Sequence, residues 1–369
     1  MDRPRAALIA TGLARASLAD PALAAHAVGQ AMEQLSVSHA SGVLLFLSSH
    51  FSRNAAAALL AACRQSQCLQ VAGGCASGVF TEQDWIFDAP AAAAMVFSAP
   101  LQLMQAHSPE PDDVLLSLRA SQAAARGIGE VPGLRFGGVL GSGTVMTAGC
   151  VWQHGKIRSE GDCDVYLPGH RAATGISHGI RPLTHPLEIT GCSAFELTGL
   201  GHEPALDSLA RELPLEIRQL DRLPLHRILA AEIFGPVANA MEEGRYRLIP
   251  LVATDPQSGS VTLADPPSRG GRLFWAFRQT AAAEHSMRIA LQRSGQSLGS
   301  RPDFAIMASS SARGAALYGD DDRDLKLLTL AWPGMPVIGF YGNGEFASMA
   351  GQTHLLEYAC SFGLFSLDV

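Results

Sequence analysis

The sequence predicts an α/β protein, a mixed α+β chain built as two tandem sheet-and-helix domains. Three observations predict it. Gly42-Val-Leu-Leu-Phe-Leu47 is an apolar run of strand length, followed by a helix-forming stretch and a second short strand. A helical crossover of that kind implies parallel strands and a right-handed connection. The same order returns near the end of the chain, from Phe304-Ala-Ile-Met-Ala308 onward.

The composition suits that class. A chain of 369 residues has the length of two domains rather than one. Hydrophobic residues make up 47% and charged residues 17%, which permits buried cores and argues against disorder. The formal net charge of -7, without a dense Lys/Arg run, argues against nucleic acid or an anionic membrane as partner. The seven cysteines include no CxxC pair, so zinc-finger spacing and a disulfide framework are not expected. Buried free thiols in a reducing cytosol are the simpler reading, and the expected location is cytoplasmic. The stretch Met1 to Ala16 is broken by Thr11, Gly12 and Arg15 and does not read as a signal peptide. No apolar run approaches the length of about 18 residues needed to span a membrane.

Taken in order, Asp20-Pro21 starts a helix over Ala22 to Leu35, within an N-terminal helical extension at residues 1–37. The first domain is expected over residues 38–203. It opens with the Gly42 strand, a helix from about Ser52 to Arg64 and a strand at Leu69 to Ala72. Short strands follow at Ala94 to Phe97, Leu134 to Phe136, Thr144 to Thr147, Asp164 to Leu167 and Leu187 to Thr190, with a helix at Asp112 to Arg126. Gly199-Leu-Gly-His202 marks a boundary, and the second domain is expected over residues 204–369. Helices are read at Pro204 to Leu213, Leu225 to Phe234, Arg278 to Arg293 and Asp321 to Ala331. Strands are read at Leu248 to Ala253, Val261 to Ala264, Leu273 to Phe277, Phe304 to Ala308 and Pro336 to Ile338.

Two glycine-rich turns align with each other. Gly73-Gly-Cys-Ala-Ser-Gly78 and Gly339-Phe-Tyr-Gly-Asn-Gly344 each follow a short strand. Each lies downstream of a lone arginine flanked by small residues, Arg53 and Arg313, at an offset of about 260 residues. So long a period points to distantly duplicated domains related by a pseudo-twofold, with a cleft between them as the natural place for a ligand. Glycine permits positive φ and close approach to the backbone, and successive amides in such a turn can accept an anion. Both turns read equally as plain strand exits.

These residues carry a resemblance. Gly339-Phe-Tyr-Gly-Asn-Gly-Glu345 with Gly351-Gln-Thr-His-Leu-Leu-Glu357 resembles the C-terminal signature of FIST domains, and Ser310-Ser-Ala-Arg313-Gly314 resembles the element upstream of it. Gly74-Cys75-Ala-Ser-Gly78, Phe136-Gly137-Gly138 and Gly175-Ile-Ser-His-Gly179 stand in the order of a FIST N-terminal domain. The resemblance implies a non-catalytic sensory protein for signal transduction. Its ligand would be an amino acid or similar small polar molecule. A histidine kinase or other signalling protein would be its separate partner. One branch of the family resembles haem-containing nitric-oxide sensors. Two positions depart from the pattern. Val79 stands where the counterpart of Glu345 belongs, and Ser310 where many members carry cysteine.

Candidate site residues follow. The Arg313 guanidinium suits a ligand carboxylate or an internal salt bridge, the latter with Glu345 as partner. Glu345 suits a ligand amino group. On the ligand reading, Arg313→Ala abolishes binding and leaves the fold intact. Tyr341, Asn343, Gly344 and Gly78 belong to the glycine turns and offer hydrogen bonds or plain turn chemistry. Cys75 is a reactive thiol or an inert one. His354 is a haem ligand, a base or a structural residue. CxxCH, GxSxG, P-loop and HExxH patterns are absent, so no cofactor is expected beyond the haem of the sensor branch. A hydrolase or transferase using Cys75 or a serine, and a protein-interaction scaffold, stand as the alternatives.

Overall fold

A computed structural model describes residues 7–105, 109–126, 132–141, 149–158, 160–218, 223–319, 321–349 and 351–367. The chain forms two compact units, Met1–Ile176 with Arg288–Val369, and Ser177–Met287. This division differs from a break at 203/204, because strands from both ends of the chain share sheets in the first unit.

The first unit opens with β1 (Ile9–Arg15) and α1 (Ala22–Leu35). Residues 9–35 are therefore no helical extension. β1 pairs along its whole length with Ala91–Phe97, and α1 lies so close that a Cβ on Gly12 would fall 2.0 Å from the Ala27 carbonyl. The start of α1 is as read: Pro21 has helical φ, and the Asp20 carboxylate accepts the Ala22 N–H at 2.8 Å. Next come β2 (Gly42–Ser48), α2 (Ala55–Ser66), β3 (Val71–Ala76), β4 (Gly78–Thr81), β5 (Trp85–Phe87) and β6 (Ala91–Phe97). They are followed by β7 (Met104–Gln105), β8 (Val114–Ala120), β9 (Leu134–Leu140), β10 (Val151–Gln153), β11 (Lys156–Ile157), β12 (Asp162–Tyr166) and β13 (His170–Ser177).

The helix read at Asp112 to Arg126 is the strand β8 followed by a 3-10 segment. Val114, Leu115, Leu116 and Leu118 are all buried, so the run is apolar on both faces and its periodicity does not separate strand from helix. The strand expected at Thr144 to Thr147 lies outside the described residues.

The second unit holds β14 (Ile180–Pro182), β15 (Leu187–Ser193), β16 (Glu196–Leu200), β17 (Glu203–Pro204), α3 (Ala205–Glu212), α4 (Leu215–Arg218), β18 (Ile228–Ile233), α5 (Ala240–Glu243), β19 (Tyr246–Asp255), β20 (Ser260–Leu263) and β21 (Arg272–Arg278). The helix read at Leu225 to Phe234 is a 3-10 turn and then β18. Pairing runs β21-β15-β16-β20-β19-β18 and returns to β21, an antiparallel ring that leaves few open edges. Ile189, Ile249, Val261 and Trp275 fill it, with Leu209 of α3 packed against them.

From α6 (Thr280–Leu298) the chain continues through β22 (Phe304–Ser310), α7 (Ala315–Tyr318), α8 (Arg323–Ala331), β23 (Val337–Gly342), β24 (Glu345–Met349), β25 (Gln352–Leu356) and β26 (Cys360–Leu367). The first unit then contains three six-stranded sheets, ordered β1-β6-β2-β3-β10-β11, β13-β26-β22-β23-β4-β5 and β25-β24-β9-β8-β12-β7. Each is built on one parallel pair, β2/β3, β22/β23 or β8/β9. The two strands after each pair leave for the next sheet. β4–β5 joins β23, β24–β25 joins β9, and β10–β11 joins β3. The strand pattern thus recurs three times, where the sequence suggested two copies. Phe46, Phe97, Phe136, Phe304, Phe340 and Phe365 belong to the shared core, with Phe46 and Phe340 rings 4.8 Å apart.

The two glycine motifs lie largely inside β3 and β23 rather than in turns. Gly73, at φ +146, has no room for a Cβ, which would sit 1.8 Å from the Leu45 carbonyl oxygen. A Cβ on Gly339 would meet the Phe80 ring at 2.1 Å.

Candidate functional site

At the carboxyl ends of the parallel strands β22 and β23, three side chains stand in one row. Ser309 is paired with Tyr341 on one side and Cys360 on the other. All three are buried. The corresponding row of the first sheet, Leu47 with Cys75 and Ala92, is nearly all apolar. Polar groups therefore gather at this end of the β22/β23 pair and not at the same end of β2/β3, at strand ends of the kind where open α/β sheets place ligands.

The segment from Arg313 to α8 closes over that row. Arg313 follows β22, and its Nε and Nη2 donate to the two oxygens of Asp324 at 2.8 and 2.7 Å. Arg313 is 1% exposed and Asp324 0%. The internal partner of Arg313 is thus Asp324 and not Glu345. Tyr318 donates its hydroxyl to Asp324 at 2.9 Å. Asp322 caps α8 by accepting the Leu325 N–H at 3.0 Å, and Tyr341 donates its hydroxyl to the other Asp322 oxygen. The Tyr341 ring fits because Gly78 and Gly314 flank it; a Cβ on either would come within 2.9 Å of the ring.

Glu345 begins β24 and is fully buried. Its Oε2 accepts the Ala359 N–H at 3.2 Å. Its Oε1 has no hydrogen-bond partner among the described residues, and neither does the Ser309 hydroxyl. Burial holds the Glu345 carboxyl well above its ordinary value, against the opposing pull of the Ala359 N–H and Arg313. Burial likewise raises Asp322, with Asp324 adding to the shift. Tyr341 and Cys360 are pushed well above their usual range by burial, so neither is a nucleophile near neutral pH.

Comparison with known proteins places a boundary through these residues. Residues 205–348 match the FIST C domain. An uncharacterized protein of Mycobacterium bovis is 26% identical over 242 residues, 65% of this chain and 62% of the relative. Two uncharacterized proteins of Mycobacterium tuberculosis are also 26% identical, over 242 and 238 residues. The chain spans 62% of the length of these curated relatives. The FIST C match begins beside Pro204 and contains Arg313, Tyr341, Asn343, Gly344 and Glu345. The expected FIST N-terminal half rests on the sequence resemblance alone.

Sequence reasoning therefore brought together five residues of the FIST C match and Gly78, which lies outside it but pairs with Tyr341. Asn343 is half-buried, accepts the Ser311 hydroxyl at 3.2 Å and donates its N–H to Val139 at 2.9 Å. Gly344 accepts the Val139 N–H at 2.8 Å. Cys75 lies on the first sheet, and His354 shares the third sheet with Glu345. Cys75 is in the row of the first sheet, and His354 sits half-buried on β25 opposite Ala347. Burial lowers the His354 pKa. A cavity of about 410 Å³ is lined by β1, Glu82, Asp303 and Pro336, and neither His354 nor the polar row reaches it. Among the described residues no group of three His, Cys, Asp or Glu side chains is arranged to hold a metal ion, and no helix is long and apolar enough to cross a membrane.

The sequence reading missed Ser309, Tyr318, Asp322, Asp324 and Cys360. A signal existed for Asp322 alone, as an acidic residue at a helix start.

Proposed function

We propose that this chain is a non-catalytic sensory protein that binds a small polar molecule of the amino-acid class beside the Ser309–Tyr341–Cys360 row, where Glu345 of the third sheet accepts the Ala359 N–H. The FIST C domain is in general a sensory, signal-transducing domain, which supports the reading at the coarse level. The observation that carries it is the pair of orphan groups, Glu345 Oε1 and the Ser309 hydroxyl, both fully buried. Leaving a buried polar group unpaired costs about 1–3 kcal/mol, so a ligand that supplies the missing partner gains that much on binding. Glu345 takes a donor such as an ammonium or hydroxyl group. Arg313, held by Asp324, fixes the wall of the site rather than reading a ligand carboxylate. A binder and not an enzyme is favoured because Tyr341 and Cys360 stay protonated. The output passes to a separate signalling partner such as a histidine kinase.

A thermal-shift screen with amino acids, small carboxylates, nucleotides and haem tests this. A ligand at a hundred times its dissociation constant adds about 2.7 kcal/mol of stability. The shift should vanish in Glu345→Gln and weaken in Ser309→Ala. A ligand that protects both variants as well as the parent places the site elsewhere, and a Soret band with haem alone favours the gas-sensor branch.

A further inference from the structure

In the first sheet β10 lies antiparallel to β3, with Trp152 opposite Gly73 and Val151 opposite Gly74. One step further in the same register, Cys150 stands opposite Cys75, and the Cys75 N–H donates to the Cys150 carbonyl at 2.9 Å. Directly opposed residues in an antiparallel pair share a face and hold their Cβ atoms about 4.5–5.5 Å apart. A disulfide asks for about 3.5–4.5 Å, so a small closure suffices. Both side chains pack on the same core cluster, and the β10/β3 ladder ends one pair before them.

The two thiols differ in access. Cys75 is buried and Cys150 half-buried. Interaction between the two thiols holds Cys150 below the ordinary thiol value and, together with burial, Cys75 well above it. Burial raises Cys63, Cys68 and Cys360, and takes Cys163 up to about 12.

We infer that Cys150 and Cys75 form a peroxide-oxidised dithiol, with Cys150 the attacking sulfur and Cys75 the resolving one. The Cys150 thiolate attacks one oxygen of hydrogen peroxide. An S–O bond forms, the O–O bond breaks, and the departing hydroxide leaves as water. The Cys75 sulfur then attacks the Cys150 sulfenic sulfur. The S–S bond forms, the S–O bond breaks, and hydroxide leaves with the Cys75 proton as a second water. Two electrons from the two thiols reduce one peroxide. This site is separate from the proposed ligand site, and its test does not depend on a ligand.

Reduced full-length protein is treated with a small excess of hydrogen peroxide, remaining thiols are blocked, and peptides are mapped without reductant. The expected product is one peptide pair joined through Cys75 and Cys150, reversed by dithiothreitol. Cys150→Ser should lower the rate of peroxide consumption about tenfold or more, as expected when the most thiolate-like sulfur is removed. Cys75→Ser should keep the reaction and accumulate a sulfenic acid at Cys150, trapped by dimedone. Thiol loss mapped to Cys63 or Cys68, an unmodified Cys150, or a Cys150→Ser variant that consumes peroxide like the parent overturns the inference. Circular-dichroism melts of both variants show whether the fold is kept, and dimedone labelling of unsubstituted protein tests Cys150 without any variant.

Discussion

Two nitrogens of Arg313 face the two oxygens of Asp324, and neither side chain reaches solvent. Removing one partner of a buried ion pair strands the other charge, at about 3–5 kcal/mol. Arg313→Ala is therefore expected to lower the free energy of urea unfolding by that amount, contrary to the sequence expectation that it would spare the fold. Arg313→Lys should recover part of the loss, since it restores charge without the two-pronged geometry. Glu345 makes a different prediction. Its folded carboxyl titrates above the ordinary value of 4.5, so the folded state holds a proton that the unfolded chain has released. Its contribution is fully present below the unfolded value and is lost as pH rises through the folded one. Urea midpoints measured upward from pH 5 should fall for the parent relative to Glu345→Gln; parallel curves would show that Glu345 does not bind the proton. At this scale the sequence showed Arg313 and Glu345 as isolated charges among apolar neighbours. It did not show Asp324 as the partner, because that contact is made only after α8 folds back over β22. Ser309 and Cys360 carried no signal, since small residues inside strands look alike whether or not their polar atoms find partners.

Strands and helices of clean period were legible. The α1 start, β2, α2 and β22 all fall where spacing and caps place them. The failures have one physical source. Val114-Leu-Leu-Ser-Leu118 and Ile228-Leu-Ala-Ala231 are apolar on both faces because both faces of each strand are buried, and Ala and Leu favour helices in isolation. The glycine motifs were visible, but their role was misread as turns. They are places where side chains and carbonyls of other strands press against the backbone. Gly339→Ala should accordingly cost about 3 kcal/mol, near the upper end for overpacking, or block folding. Gly351→Ala, with φ +78 and nothing within 4 Å of its Cβ, should cost only about 1–2 kcal/mol. Equal thermal shifts for the two would show that the Phe80 contact does not constrain β23. The edge of β1 is protected by side chains of α1: Gln30 accepts the Leu13 N–H at 3.0 Å and Gln34 donates to the Thr11 carbonyl at 2.9 Å.

Across the whole first unit, no sheet is complete without strands that follow the parallel pair of another. The sheets are therefore expected to open together. Hydrogen–deuterium exchange should give β2, β8 and β22 similar protection free energies, whereas independent sheets would exchange in separate steps. The sequence revealed two of the three parallel pairs because both carry a helical crossover and a matched glycine spacing. The third, β8/β9, has a 3-10 segment after its first strand and escaped notice. The insertion of residues 177–287 as a unit was invisible for a related reason. The pairings of Gly78–Thr81 with β23 and of β9 with β24 reveal that the ends of the chain belong together.

The first of these pairings has a consequence for synthesis on the ribosome. Thr81 meets Ile338 only after a further stretch of about 250 residues has been made. At about 5–20 residues per second, β4 and β5 wait roughly ten to fifty seconds for the neighbour that completes their sheet. During that interval Phe80, which ends fully buried against β23, has no such cover. The nascent chain thus exposes one of its stickiest hairpins through most of its own translation, and that stage is where a chaperone would have the most to do.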